Sequence, residues 1–450
     1  MNQLQEADRL ASYATHSRDT AGRQHQEPIH SYRGPYARDR DRILHCSAFR
    51  RLSGKMQVFT GDMGDYHRTR LTHTLEVTSI ARTMARQLGL NEDLTEALAL
   101  VHDIGHPPYG HCGEDVLNEF AASSRGFSHN DFALVLVQQL EQRFTSFPGL
   151  NLSREVLAGQ TTRTDKLGNR LAVRPTGNAA QPSLFAGDDD DPLDATLQDG
   201  DADTEVSAAA TESLRPPMPT QSLLPIIDAA MQEQSSSEAA EESDLAFRAP
   251  LLEIQLVDCA DSIAYDAHDV DDALQLGLLS IDSLRQLDII ARALDTVRAR
   301  YANLSAGRLR QALIHQLIEL QVSDLLDQCQ QQLGQWEGAP SDAVLASGLM
   351  FSHSRRIAAE RRQLEVFLFQ NVYRHRRLME IRGPAQERLR SMLVALANDP
   401  SRLPLRFRQR SVRFGRRLAA TQYIAGMTDR FFDTQYEYLQ SGNRGPLADW

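Results

Sequence analysis

The chain has 450 residues, enough to bury a large core as one big domain or as two to three smaller ones. A formal net charge of −12 and a pI near 5.6 exclude a surface that coats itself with nucleic acid through bulk charge alone. No apolar run reaches the ~18 residues of a membrane helix, the first residues lack a secretory apolar region, and Cys46, Cys112, Cys259 and Cys329 stand far apart with no CxxC pair, so a soluble protein of a reducing, cytoplasmic compartment is expected. The average charge hides an asymmetry. Between Gly187 and Asp244 sixteen acids face one base, Arg215, a net of −15 that leaves about +3 for the remainder, and a mildly positive body suits a polyanionic substrate.

Residues 1–37 are polar and irregular. From Arg38 the pattern RDRDRILHCSAFRRL places Ile43, Leu44, Ala48, Phe49 and Leu52 at helical spacing. A loop at Gly61–Asp65 precedes a helix over Leu71–Leu88, with apolar positions at Leu75, Val77, Ile80, Ala81, Met84 and Leu88 and with Gly89 as its C-terminal stop. Asn91 caps the next helix, Glu92 and Asp93 complement its dipole, and Gly105, Pro107 and Pro108 end it. His102 and Asp103 therefore sit at a helix C-terminus, facing an irregular loop. Residues near 113–145 read as helical again.

From about Thr176 to 247 the composition turns to Asp, Ala, Ser, Pro, Gln and Thr, too poor in apolar residues to fold alone, and it reads as a disordered acidic insertion. The expected organisation is thus a flexible segment over 1–37, a first half over 38–175, the insertion over 176–247, and a second half over 248–450 with a C-terminal helical region. In that second half LLEIQLVDCADSIAYDAHDVDDALQLG is strongly helical. Asp258, Asp261 and Tyr265 share one face, Asp269 extends it by a turn, and interleaved apolar residues bury the helix along much of its girth, so its carboxylates need partners. The remainder to about Tyr438 reads as successive helices.

His73, His102, His106, His111 and His129 are five of the fourteen histidines, gathered beside Glu114 in under sixty residues. A histidine on one helix and a His-Asp pair ending the next can hold a divalent ion, with a further ligand from a distant part of the chain. Imidazole and carboxylate together suit Mn²⁺, Mg²⁺, Fe²⁺, Ni²⁺ or Zn²⁺ and leave positions open for water and substrate, the arrangement of a hydrolytic site. A run of six arginines from Arg406 to Arg417, with two phenylalanines among them, reads first as a solvated or subunit-contact surface. Its functional alternatives are an allosteric nucleotide site or a site for single-stranded nucleic acid.

The order His…His-Asp…Asp, with RDRDRILHCSAFRRL, RTRLTHTLEVTSIAR, HDIGHPPYGHCGE, FSHN, LNLSREVL, DCADSIAYDAHDVDDAL, FLFQNVYRH and YIAGMTDRF, resembles the deoxyguanosinetriphosphate triphosphohydrolase-like (dNTPase) family of HD-domain metal-dependent phosphohydrolases. The resemblance spans nearly everything from Arg38 onward except the insertion. It implies an all-α fold, an HD-domain helical core with additional C-terminal helices, and an enzyme that hydrolyses dGTP or several dNTPs to deoxynucleoside and inorganic triphosphate, usually as a homo-oligomer. Residue by residue it implies metal ligation by His73, His102, Asp103 and Asp261, and catalysis by His111, Glu114 and His129. It further implies phosphate contacts from Arg68 and Arg70, and sugar and base contacts from Gln57, Tyr265 and Asp269. The chain departs from the family pattern after LNLSREVLAGQ, where TTRTDKLGNR replaces the usual Lys-His pair. Two other readings stay open: a different HD-type nucleotide phosphohydrolase, and a nucleotide or single-stranded nucleic-acid binding regulator.

Overall fold

Local signals start and stop the helices that matter. In the computed structural model, which describes residues 6, 9–57, 68–122, 126–171 (backbone alone for 163–171), 249–443 and 445–450, helix α1 spans Pro35–Leu44 and α2 spans Arg70–Gln87. Thr69 and Thr72 cap the start of α2 reciprocally, each side chain taking the other's backbone N–H. Gly89, at φ +64°, turns the chain out of it. Asn91 Oδ1 then accepts the Leu94 N–H and opens α3, Glu92–Val101. That helix is four residues shorter than the prolines alone suggest. His102 is its C-cap, and Asp103 lies in the tight turn that follows.

Helices α4 (Gly110–Phe120), α5 (His129–Val135) and α6 (Arg154–Leu171) complete the first half. After the 176–247 stretch, which lies outside the described residues along with the organisation expected for it, α7 runs from Leu252 to Gln275. It packs on both α2 and α3, so residues some 190 apart in sequence become neighbours. The buried face of α2 carries His73, Thr74, Val77, Thr78, Ala81, Met84 and Ala85, whereas Leu75, expected in the apolar stripe, is 49% exposed. The helix is phased to bring His73 against α7. Each large aliphatic side chain buried in this three-helix contact stabilises it by roughly 1.5–3 kcal/mol.

Helices α8 (Asp288–Arg300), α9 (Ala306–Leu333) and α10 (Arg355–Leu368) add a second apolar cluster against the far part of α7, with Val270, Ile290, Leu294, Leu313, Leu317 and Leu364 fully buried. Then α11 (Arg376–Asn398), α12 (Leu405–Phe414), α13 (Arg416–Ala425) and α14 (Asp429–Gln440) fold back, α11 and α13 packing on α4. The described residues form no strand, only isolated bridges such as Met56 with Thr69, and the fold is all-α as expected. Within the arginine-rich run, Phe407 is buried in the core and Arg406 is held by Asp449 and the Trp450 carbonyl, so that ring is unavailable to stack on a base. No helix among the described residues is long and apolar enough to cross a membrane.

Candidate metal centre and active site

His73 from α2, His102 and Asp103 from the end of α3, and Asp261 from α7 converge. His102 Nδ1 lies 2.6 Å from the Ala99 carbonyl, which can only accept, so the proton sits on Nδ1 and Nε2 keeps a bare lone pair. That Nε2 is 3.6 Å from Asp261 Oδ1 and 3.7 Å from Asp103 Oδ1, and His73 Nε2 is 3.0 Å from Asp261 Oδ1. Donor atoms bonded at ~2.0–2.2 Å to one ion stand roughly 3–3.5 Å apart. One ligand atom from each of His73, His102 and Asp103 falls within a 4.8 Å sphere of separation. Two neutral imidazoles and two carboxylates, gathered with these spacings, fit a divalent cation.

The second oxygen of Asp103 is occupied: Arg70 Nη1 donates to Oδ2 at 2.8 Å, and His106 Nε2 is 3.1 Å from Oδ1. Burial alone would raise the Asp103 pKa, but Arg70, then His106 and His102, outweigh it and hold the carboxyl well below its usual range. Arg70 is 1% exposed, and its Nη2 and Nε have no hydrogen-bond partner in the structure although it lines the central cavity. A buried guanidinium with two unused donors is a site for an anion, because leaving it unpaired is costly.

Beyond Arg70 lies a histidine cluster. The turn HDIGHPPYGH places His106 in the core and His111 at the start of α4. The His106 ring stacks on that of His129 at 3.8 Å and 16°, and meets His111 edge-on at 5.4 Å. Glu114, on α4, accepts both the backbone N–H of His129 and its Nδ1, at 2.9 and 2.8 Å. Burial would raise the Glu114 pKa; the charge and hydrogen bond of His129, with His106 and His111 behind them, bring it below the ordinary carboxylate value. The His111 ring is open to solvent, which tempers the effect of the protein around it; that surrounding protein and then Arg70 bring its pKa down, to about 4, so it is neutral near pH 7. Asp103, His106 and His129 also stand close together. With Arg70 on Asp103 and the two rings stacked face to face, that group suits proton chemistry better than a second ion.

Two devices hold the loop that carries these histidines. Buried Lys55 donates to the carbonyls of His106 and Ala425, and Asp429, at the start of α14, accepts the Met56 N–H on one oxygen and the Tyr109 N–H on the other, each at 3.0 Å. Close packing is the third constraint. A Cβ at Gly105 would lie 1.9 Å from the His129 carbonyl oxygen. Gly105→Ala is therefore expected to destabilise the fold by ~1–3 kcal/mol, read as a lowered unfolding midpoint in urea.

These groups face a cavity of about 540 Å³ lined by Gln57, Arg70, His73, Asp103, His106, His111, His129, Asp258, Asp261, Tyr265 and Asp269, together with Arg361, Phe369 and Tyr373. The structure thus gathers most of the expected residues. Gln57 is buried with its Oε1 unpaired, and Tyr265 lies edge-on to His111 at 6.2 Å. The Tyr373 hydroxyl bridges Asp269 and the Tyr265 hydroxyl, and burial pushes the Asp269 pKa well above the usual range despite the bond from Tyr373.

Arg68 is the exception. Its guanidinium is held by Glu76 at 2.8 Å, Asp271 at 3.2 Å and Asp272 at 3.5 Å, and it does not line the cavity. The guanidinium expected to contact phosphate is thus engaged by Glu76 of α2 and by Asp271 and Asp272 of α7. Sequence reasoning assigned no role to Tyr373, Phe369, Arg361 or His268. The first two lie in FLFQNVYRH, one of the motifs that carry the resemblance, and Arg361 lies in the basic stretch RRIAAERRQ. His268 stands inside α7 as a histidine between two aspartates, and that spacing was its only signal.

An HD domain model matches residues 70–166, and a phosphohydrolase-associated domain model matches 351–438. Deoxyguanosinetriphosphate triphosphohydrolase-like proteins are similar along almost the whole chain. That of Geobacter sulfurreducens is 35% identical over 440 residues, covering 98% of this chain and 97% of the relative. That of Brucella ovis is 37% identical, covering 95% of each, and that of Bordetella pertussis 36%, covering 96% of each. With paired helices that gather histidine and aspartate into a group able to hold a divalent ion, the chain belongs to the deoxyguanosinetriphosphate triphosphohydrolase-like family of HD-domain metal-dependent phosphohydrolases.

Proposed function

We propose that the protein hydrolyses deoxynucleoside triphosphates to deoxynucleoside and intact inorganic triphosphate. The observation that carries this reading is Arg70, a buried cation with two unused donors, set between the His73–His102–Asp103–Asp261 group and the Glu114–His129 pair. A bound divalent ion held by those four side chains supplies Lewis acidity and a more acidic water. Arg70 takes oxygens of the triphosphate and neutralises their charge. A water oxygen bonds to the α-phosphorus as its bond to O5′ breaks, and the departing 5′-oxygen needs a proton. Glu114 contacts His129 and not His111, so His129, fixed with Nδ1 toward the carboxylate, is assigned the donation through Nε2, and neutral His111 lies beside it as a hydrogen-bonding partner. Gln57, Tyr265 and Asp269 are assigned to sugar and base.

This reading includes a cytoplasmic location, a homo-oligomer, and either an allosteric nucleotide or single-stranded nucleic acid as regulator. Incubation with each dNTP and Mn²⁺ or Mg²⁺ should release triphosphate and deoxynucleoside in equal amounts, measured by ion-exchange chromatography. Orthophosphate or pyrophosphate as the sole phosphorus product would instead place the chain with the other HD nucleotide phosphohydrolases. Equal turnover of ribonucleotides would remove the assignment of Tyr265 and Gln57 to sugar selection.

A further inference from the structure

If His73 offers Nε2 to a metal, its other ring nitrogen carries the proton. That Nδ1 is 3.1 Å from Nδ1 of His268, with the two rings at 76° and both side chains buried. The other nitrogen of His268, Nε2, meets Oε2 of Glu76. The chain of bonds leaves one consistent set of tautomers: Nδ1–H of His73 donates to bare Nδ1 of His268, and Nε2–H of His268 donates to the carboxylate. Glu76 is anchored in turn through its other oxygen by Arg68, which Asp271 and Asp272 hold in place. This is the arrangement that the displaced Arg68 serves.

We infer that His268 and Glu76, anchored by Arg68, are positioning residues that fix the tautomer and the orientation of the His73 ring as a metal ligand. They touch neither metal nor substrate. The inference rests on the assignment of His73 as a ligand. A histidine placed between the ligand and the carboxylate lengthens the usual ligand–carboxylate pair by one ring, and it links α2 to α7 at the point where each contributes a metal residue. An interhelix staple without this role would stabilise the fold and leave metal affinity alone.

The test is Mn²⁺ affinity of the full-length protein, measured by competition with a chelating dye, beside thermal unfolding of the metal-free form. His268→Ala is expected to weaken Mn²⁺ binding by ~10- to 100-fold. His268→Gln, which keeps an acceptor toward His73 and a donor toward Glu76, should recover most of that loss. Glu76→Ala, whose side chain is 45% exposed and so costs little in folding, should weaken binding by about tenfold. His73→Ala is the control for the underlying assignment. Loss of metal in His73→Ala with wild-type affinity in His268→Ala and Glu76→Ala would overturn the relay and leave the metal site standing, whereas wild-type affinity in His73→Ala would overturn both. Should His268→Ala fail to fold, Glu76→Ala and His268→Gln decide the matter by the same comparison.

Discussion

His102→Ala is expected to leave the protein folded, free of stoichiometric metal, and slower in triphosphate release by at least ~10³-fold, because losing about 4 kcal/mol of transition-state stabilisation is roughly a thousandfold in rate. His102 is the ligand to choose. Its Nδ1 bonds a backbone carbonyl, and replacing the neutral ring leaves Arg70 and Asp103 paired. Asp103→Ala would strand a buried guanidinium, at a cost of ~3–5 kcal/mol in folding, and so mix catalysis with stability. Metal content after dialysis, by inductively coupled plasma mass spectrometry, and product release with Mn²⁺ restored are the two readouts. Wild-type metal stoichiometry in His102→Ala would remove this residue from the ligand set.

The second large effect belongs to the Glu114–His129 pair. His129→Ala and Glu114→Ala should each lower kcat by ~10²–10⁴-fold with metal content unchanged, since a positioned acid contributes about that much. Glu114 accepts from both the backbone and the ring of His129, so it sets where the ring stands as well as its tautomer. Two groups acting as a unit are not additive. The double variant should therefore be no slower than His129→Ala alone. Full triphosphate release by both single variants would overturn the assignment, and a double variant slower by the product of the two single losses would show that they act separately.

How much of this was legible follows from where each signal resides. The caps at Asn91 and Thr69 and the turn at Gly89 are local, and the helical spacing of residues 70–101 needs no knowledge of the rest of the chain. So the two helices that present His73, His102 and Asp103 could be placed from the sequence, while the early end of α3 at Val101 reflects the tight turn that docks Gly105 against His129. Asp258, Asp261, Tyr265 and Asp269 were readable as one face of α7, and all four line the cavity. Arg68 shows the limit. The resemblance implies a phosphate contact for it, but besides Glu76 of α2 its guanidinium is claimed by Asp271 and Asp272, which become its neighbours only through the packing of α2 on α7. Tyr373 likewise reaches Asp269 from over a hundred residues away, a contact no periodicity announces.

The clasp at Asp429 ties the candidate site to the C-terminal helices. One carboxylate gathers the backbone beside Gln57 and the backbone beside His111, yet it lies in α14. The two backbone groups it holds stand 373 and 320 residues away from it in sequence, so the pose of the loop is set by tertiary packing and not by its own neighbours. A substitution that loosens α14 is therefore expected to act from a distance on the loop that carries His106 and His111, while α2, α3 and α7 hold His73, His102, Asp103 and Asp261 where they stand.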